Sequence, residues 1–166
     1  VLLGRLRSLG LSVPTSLCDE ALMALGRFGL GHLQGRTLDM ISGGQRQLTY
    51  LAQALFRKPE ILLLDEPTAA LDLRHQLIVL EAVRGLAWSN DTTIMVAMHD
   101  LTMASQFCDR MICLHRGQID ADGPPAAVLT EDRLRRVYHV DAAITEAGHG
   151  GLTVTPLRPV SPATAD

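Results

Sequence analysis

The run Ile61-Leu62-Leu63-Leu64, bounded by Pro59 and Pro67, constrains this chain more than any other stretch. Its four apolar residues read as a short, fully buried parallel strand. Two carboxylates, Asp65 and Glu66, follow at the C-terminal end, the end at which open α/β sheets bind ligands. Neighbouring residues of an extended chain point to opposite sides. The pair can therefore divide its work, one carboxylate toward a metal and one near a nucleophile. Taken alone, the run reads equally as a strand ending in two solvated acids.

The stretch before it narrows the choice. Ile41-Ser42-Gly43-Gly44-Gln45 precedes a helical run from Arg46 to Arg57. A serine and two glycines ahead of a helix leave backbone N–H groups free at the positive end of the helix dipole, an anion site by construction. After that helix come Pro59, the apolar strand, Asp65-Glu66 and Ala70-Leu71-Asp72. In this order and spacing they resemble the nucleotide-binding subunit of ABC transporters: signature motif, Walker B strand with its adjacent glutamate, and D-loop. Ser42 to Gln45 match the signature outright, and Ile41 replaces the usual leucine.

Composition agrees with one globular domain. The 166 residues are 47% hydrophobic and 20% charged, with a net charge of −3. Those proportions separate the chain from disordered sequences, and the charge argues against a nucleic-acid partner, which usually needs a basic face. The three cysteines, Cys18, Cys108 and Cys113, have no CxxC spacing and fit small packing roles in a reducing compartment. No secretory signal and no apolar run of membrane-spanning length is visible, so membrane association is expected to run through a partner. The chain starts at valine and looks as if it were entered midway.

Elsewhere the pattern alternates helix and strand. Pro14-Thr15-Ser16 offers a helix start with Ser16 as N-cap, and Leu17, Ala21, Ala24, Leu25 and Phe28 follow at helical spacing. In the helix after Gly44, the stripe is Leu48, Leu51, Ala52 and Leu55. Another helix is predicted from Leu73 to about Ala87, with Leu73, Leu77, Leu80 and Ala87 as its apolar face, widened by Val79 and Val83. Ser89-Asn90-Asp91 is a turn, and Thr92 to Met98 a second buried strand ending at His99. Leu101 to Phe107 reads as a helix and Arg110 to Leu114 as a third strand, followed by a tight turn at Arg116-Gly117-Gln118. Short helices are predicted after Pro124 and over Glu131 to Tyr138, the second capped by Thr130. Val140 to Ile144 and Leu152 to Thr155 pair as a hairpin, and 159–166 form a frayed tail. The alternation predicts an α/β fold with a mainly parallel sheet.

The resemblance implies roles. Asp65 matches the aspartate that orients magnesium, and Glu66 the residue that polarises the attacking water. His99, in Met98-His99-Asp100-Leu101, matches the switch histidine that contacts the γ-phosphate of ATP. In this family two subunits face head to tail, so Ser42, Gly43, Gly44 and Gln45 would cover the ATP of a neighbour, with Asp72 at the same interface. The D-loop usually begins with serine; Ala69 replaces it, and a hydroxyl contact across the dimer is lost. His32, His75, His115, His139 and His149 read as surface or packing residues.

No GxxxxGK[ST] occurs in residues 1–166, and neither the adenine-stacking aromatic nor the Q-loop glutamine is recognisable. The likeness thus covers the C-terminal two-thirds of the family domain, an ABC-type P-loop NTPase domain in part. Residues 1–158 are expected to be that portion: 1–57 a helical signature region, 58–158 the rest of the catalytic core. The chain is then a piece of a longer product, a truncated gene product, or a chain numbered from a wrong start.

Val1-Leu2-Leu3-Gly4-Arg5, Leu71-Asp72-Leu73-Arg74-His75-Gln76 with Val79-Leu80-Glu81, and Gly123-Pro124-Pro125 with Val128-Leu129-Thr130 and Val137-Tyr138 resemble importers of ferric siderophores, haem and cobalamin. That likeness implies an ATPase bound peripherally on the cytoplasmic face of a bacterial inner membrane. Its partners would be a second copy, two transmembrane permease subunits and, indirectly, a substrate-binding protein. Two alternatives stay open: a soluble ABC-class ATPase without transport, and a fragment that pairs with a full ATPase but does not hydrolyse ATP itself.

Overall fold

A computed structural model describes residues 1–2, 13–69, 71–89, 92–148 and 150–161. Most of the Val1–Arg5 motif, Asn90-Asp91 of the expected turn, His149 and residues 162–166 of the tail lie outside the described residues. The chain forms two compact units, Val1–Ala97 and Met98–Asp166.

The first unit contains α1 (Thr15–Gly26), α2 (Gly43–Phe56), β1 (Ile61–Asp65), α3 (Leu73–Ser89) and β2 (Thr93–Ala97). Short 3-10 turns at Gly31–Leu33 and Leu38–Met40 link α1 to α2. Pro14, not Ser16, starts α1: the Leu17 and Cys18 N–H groups donate to Pro14 O at 3.0 and 3.2 Å, and no side chain caps the helix. The fixed φ of proline already suits a helix start.

In α2 the residues Leu48, Leu51, Ala52 and Phe56 are buried, with Leu48 and Ala52 fully enclosed. Leu48, Leu51 and Ala52 meet Phe28, Leu30, Leu71, Val79 and Val83 in one core, onto which Leu55 packs from the edge. Past the helix end Lys58 adopts φ 52°, the left-handed position that glycine more often fills after a helix.

In α3 the buried stripe is Val79, Leu80, Val83 and Leu86. Leu73 and Leu77, expected on the apolar face, are 64% and 38% exposed. Spacing alone admitted both settings of the helix. The side-chain anchors in its first turn, described below, fix the one that turns these two leucines outward.

The strands β1 and β2 pair in parallel, from Ile61 opposite Thr93 to Asp65 opposite Ala97. Leu62, Leu64, Ile94 and Val96 turn toward the core. The opposite face is bare, with Ile61, Leu63 and Met95 exposed at 66%, 70% and 52%. Both strands were expected to be fully buried; among the described residues only one face is covered, because the helices of this unit all contribute to a single core.

The second unit contains α4 (Leu101–Phe107), β3 (Met111–His115), β4 (Gln118–Gly123), α5 (Pro125–Val128), α6 (Glu131–Arg133), β5 (Val140–Glu146) and β6 (Leu152–Pro159). β3 and β4 form an antiparallel hairpin, as do β5 and β6. The mainly parallel sheet predicted from the alternation is thus represented, among the described residues, by β1–β2 alone. The β3–β4 turn is Arg116-Gly117, with φ 48° and 75°, the two positive φ values of a type I′ hairpin turn. Thr130 caps α6 as expected, accepting from the Arg133 N–H at 3.3 Å. The helix continues as a wider π-type turn over Leu134–Tyr138 and ends at His139, which is left-handed.

Helix α4 lies on β6. The buried Ser105 hydroxyl accepts from the Leu152 N–H at 2.8 Å and lies 2.7 Å from Leu152 O. Gly151 permits this approach: its φ is 82°, and a Cβ there would stand 2.9 Å from Gln106 Cα. Asp120 of β4 is held by Arg133 and Arg136. The three cysteines are free thiols, and no described helix is long and apolar enough to cross a membrane.

Candidate nucleotide-facing site

The sequence Ser42-Gly43-Gly44-Gln45 builds a helix N-terminus, with one change from expectation. The glycines do not precede α2; they form its first turn. Ser42 is the N-cap, and its hydroxyl accepts from the Gln45 N–H at 3.2 Å. The Gln45 side chain reaches back to accept from the Ser42 N–H at 3.0 Å. This reciprocal capping box occupies two of the donors at the helix end. The Arg46 N–H donates to Ser42 O at 2.9 Å and opens the regular ladder. The N–H groups of Gly43 and Gly44 have no acceptor within the helix, so the anion-directed donors narrow to two, at the positive end of the dipole. Gly43 is exposed and Gly44 half-buried.

Strand β1 delivers Asp65 and Glu66, both exposed. The Glu66 N–H donates to Ala97 O at 3.0 Å, carrying the β1–β2 ladder one step past the strand. Glu66 itself adopts φ 42°. A left-handed non-glycine residue costs on the order of 1–3 kcal/mol, and a following proline, here Pro67, favours extended geometry instead. The turn after it is closed by Ala69 N–H to Glu66 O at 3.2 Å and Leu71 N–H to Thr68 O at 3.1 Å. Pro67, Thr68 and Leu71 are buried.

Asp72 ends that turn and caps α3. Its carboxylate accepts from the His75 N–H at 2.9 Å, and both its oxygens lie 2.8 Å from His75 Nδ1. The hydrogen bonds from the His75 backbone, then from its ring, hold the Asp72 carboxyl below its ordinary pKa. His75, read from sequence as a surface or packing residue, is thus the direct partner of a predicted site residue. The signal was available: three residues into a helix is where a side chain meets the N-cap.

Two glutamines that sequence reasoning missed fasten the same turn. Gln47 of α2 donates from Nε2 to Pro67 O at 2.7 Å. Gln76 of α3 donates to Leu71 O at 3.1 Å and to Thr68 O at 3.3 Å. Neither leaves a local signal, because a glutamine on a helix flank usually faces solvent and the acceptor of Gln47 is twenty residues away in sequence.

The first unit therefore brings together the α2 N-terminus and the Asp65–Asp72 segment. A Cβ on Gly44 would stand 3.1 Å from Leu71 Cδ2, so the two lie in direct contact. His99 belongs to the second unit; it is exposed and immediately precedes Asp100, which caps α4 by accepting from the Met103 N–H at 2.9 Å.

Residues 16–69 match the ABC transporter family. The chain is 39% identical over 158 residues to the cobalamin import ATP-binding protein BtuD of Halobacterium salinarum, spanning 95% of this chain and 39% of that protein. It is 39% identical over 141 residues to the hemin import ATP-binding protein HmuV of Nitrobacter winogradskyi, spanning 80% of this chain and 52% of that one. Among solved structures, a metal-chelate type ABC transporter in an inward-facing conformation superposes with a TM-score of 0.81 at 28% identity, covering 95% of this chain and 64% of its own. A dimeric ATP-binding cassette in a post-hydrolysis state, bound to ADP and phosphate, gives 0.64 at 28% identity over 75% of this chain and 53% of its own. The chain thus spans roughly two-fifths to one-half of the curated relatives it matches. The motif order, the capped α2 N-terminus against the β1 turn, and these likenesses agree: the chain belongs to the ABC transporter ATP-binding family and carries part of its P-loop NTPase domain.

Proposed function

We propose that these residues are part of the ATP-hydrolysing subunit of an importer, working as a dimer beneath two permease subunits on the cytoplasmic side of a bacterial membrane. Residues 1–57 serve as the helical signature region and 58–158 as the remainder of the catalytic core. The observation that carries the reading is the contact of the α2 N-terminus with the Glu66–Asp72 turn. A group built to meet phosphate and a group built to meet water and metal lie on one compact unit.

The division of labour follows from position. The Gly43 and Gly44 N–H groups, with Ser42 and Gln45 holding the helix end in shape, attract the γ-phosphate of ATP bound by the facing subunit. Glu66 accepts a hydrogen bond from the attacking water and orients it. His99 contacts the γ-phosphate, and Asp72, steadied by His75, meets the facing subunit. Magnesium takes one or two carboxylates and completes its shell with phosphate oxygens and water; Asp65, an exposed carboxylate at a strand end, fits that donor set. When bound, the ion neutralises phosphate charge.

The cargo reading is a ferric siderophore or a related iron chelate, delivered by a substrate-binding protein. The flanking motifs support it, and of the relatives named above the hemin import protein is named for an iron chelate. In a reconstituted transporter, stimulation of ATPase by a ferric siderophore or another iron chelate such as hemin, but not by cobalamin, is the expected result; stimulation by cobalamin alone overturns the cargo. For the chemistry, Glu66→Gln in the complete ATPase is expected to abolish phosphate release, retain ATP binding and accumulate an ATP-bound dimer on gel filtration. Turnover at the unsubstituted rate would sink the role given to Glu66.

A further inference from the structure

Glu66 carries a backbone conformation that its own sequence disfavours. It is left-handed, at φ 42°, and it precedes a proline, which biases the preceding residue toward extended geometry. Such a conformation persists only where the surroundings over-determine it. Two of the restraints are backbone bonds available to any sequence: Glu66 N–H to Ala97 O and Ala69 N–H to Glu66 O. A third comes from a side chain. Gln47 Nε2 donates to Pro67 O at 2.7 Å, in a partly buried setting that shields the bond from competing water. Gln76 acts further along, on Thr68 O and Leu71 O. Among the hydrogen bonds described, the Gln47 bond, made to the Pro67–Thr68 peptide, is the side-chain bond to the backbone that falls closest after Glu66.

Gln47 also has a telling position in α2. It lies little more than one turn past Ser42, on the helix whose first turn holds Gly43 and Gly44. A helix transmits displacement along its axis as a rigid element. A shift of that N-terminus when it meets phosphate therefore reaches the Pro67 carbonyl through one side chain.

We infer that Gln47 is a positioning residue for Glu66: by holding the Pro67 carbonyl, it keeps Glu66 in its left-handed conformation and links the phosphate-facing helix end to the water-orienting carboxylate. This rests on the reading of Glu66 given above. The requirement is for a donor on a long unbranched stem. Methionine matches the stem without the donor, and lysine supplies a donor on a stem of similar reach.

The test uses the complete ATPase carrying these residues, with Gln47→Met, Gln47→Lys and Glu66→Gln made in parallel. Steady-state kcat and KM for ATP are measured, along with equilibrium ATP binding. Gln47→Met is expected to lower kcat about 10- to 100-fold, the scale of a catalytic group displaced by about an ångström, with ATP affinity and KM within about twofold. Gln47→Lys is expected to recover most of the rate. Full kcat in Gln47→Met overturns the inference. So does a parallel loss of ATP affinity and kcat in both Gln47 variants, which marks a packing role. Glu66→Gln separates the two claims: if it turns over normally, the reading of Glu66 fails. If it is inactive while Gln47→Met is fully active, that reading stands and the inference fails alone.

Discussion

Gly44 of α2 lies against Leu71: a Cβ on Gly44 would stand 3.1 Å from the leucine Cδ2 methyl. The contact joins the helix end that carries two free N–H groups to the buried end of the turn that carries Glu66. It also separates the effects of two substitutions at one position.

Gly44→Ala introduces that tight contact, but its partner is the far end of a flexible side chain. Alanine also gains up to about 1 kcal/mol of helix propensity over glycine. The variant is expected to unfold within about 1 kcal/mol of the parent in urea titrations. Gly44→Asp adds a carboxylate in the first helical turn, which the dipole tolerates or favours, while repelling an approaching phosphate. In a dimer with one Gly44→Asp chain, crosslinking of ATP should fall first at the site which that loop covers. Equal loss at both sites argues against action across the dimer.

Ser42→Ala removes the oxygen that accepts the Gln45 N–H. Loss of such a cap costs about 1 kcal/mol, within a range of roughly 0.5–2. The expected result is a denaturation midpoint shifted downward with an unchanged slope, and Ser42→Asp should restore most of it. A Ser42→Ala variant as stable as the parent would show that the capping box contributes little.

Much of this was legible in the sequence, and the exceptions have identifiable causes. Pro59, the apolar run and Asp65-Glu66 placed β1 correctly, and Arg116-Gly117 placed a hairpin turn, because both signals are local. The burial of Ile61, Leu63 and Met95 was misjudged because apolar character in a strand does not say how many of its faces are covered. Leu73 and Leu77 were assigned to the wrong side of α3 because helical spacing fixes a stripe's period but not its phase. Gln47 and Gln76 tie the turn through side-chain geometry that pattern reading does not reach, whereas Asp72 and His75 share one helix turn and lay within its reach.

In the second unit, acid should act through Asp120. Its side chain is 12% exposed and is held by Arg136 and Arg133. Hydrogen bonding from Arg136 is the main cause that lowers its pKa from 3.8 to about 2. A depressed carboxylate stabilises the fold fully above its unfolded pKa and loses that contribution as pH falls through its folded value. The stabilisation should therefore fade between about pH 3.8 and about 2. Unfolding midpoints followed by circular dichroism should drop over that window in the parent. Asp120→Asn should start lower and change less there. Identical pH profiles for the two proteins would contradict the assignment.

The last prediction concerns the bare face of the β1–β2 ribbon. Leu63 stands opposite Met95 in the register, two residues on from Ile61 opposite Thr93 and on the same face, and the three apolar side chains are 52–70% exposed. Parallel sheets are ordinarily covered on both faces, and contiguous apolar surface of this kind drives association. Among the described residues β2 also pairs with no strand other than β1, so one edge presents backbone groups to any extended partner. Residues 1–166 produced alone are therefore expected to self-associate and to show no magnesium-dependent phosphate release, since no GxxxxGK[ST] sequence is present to cradle the nucleotide. Sedimentation velocity across a dilution series should reveal the association. Leu63→Lys with Met95→Lys should shift the chain toward monomer while leaving its helical circular dichroism intact, because both side chains project away from the core. A monomeric parent, or association untouched by the two lysines, would mean that this face is not what drives the chains together.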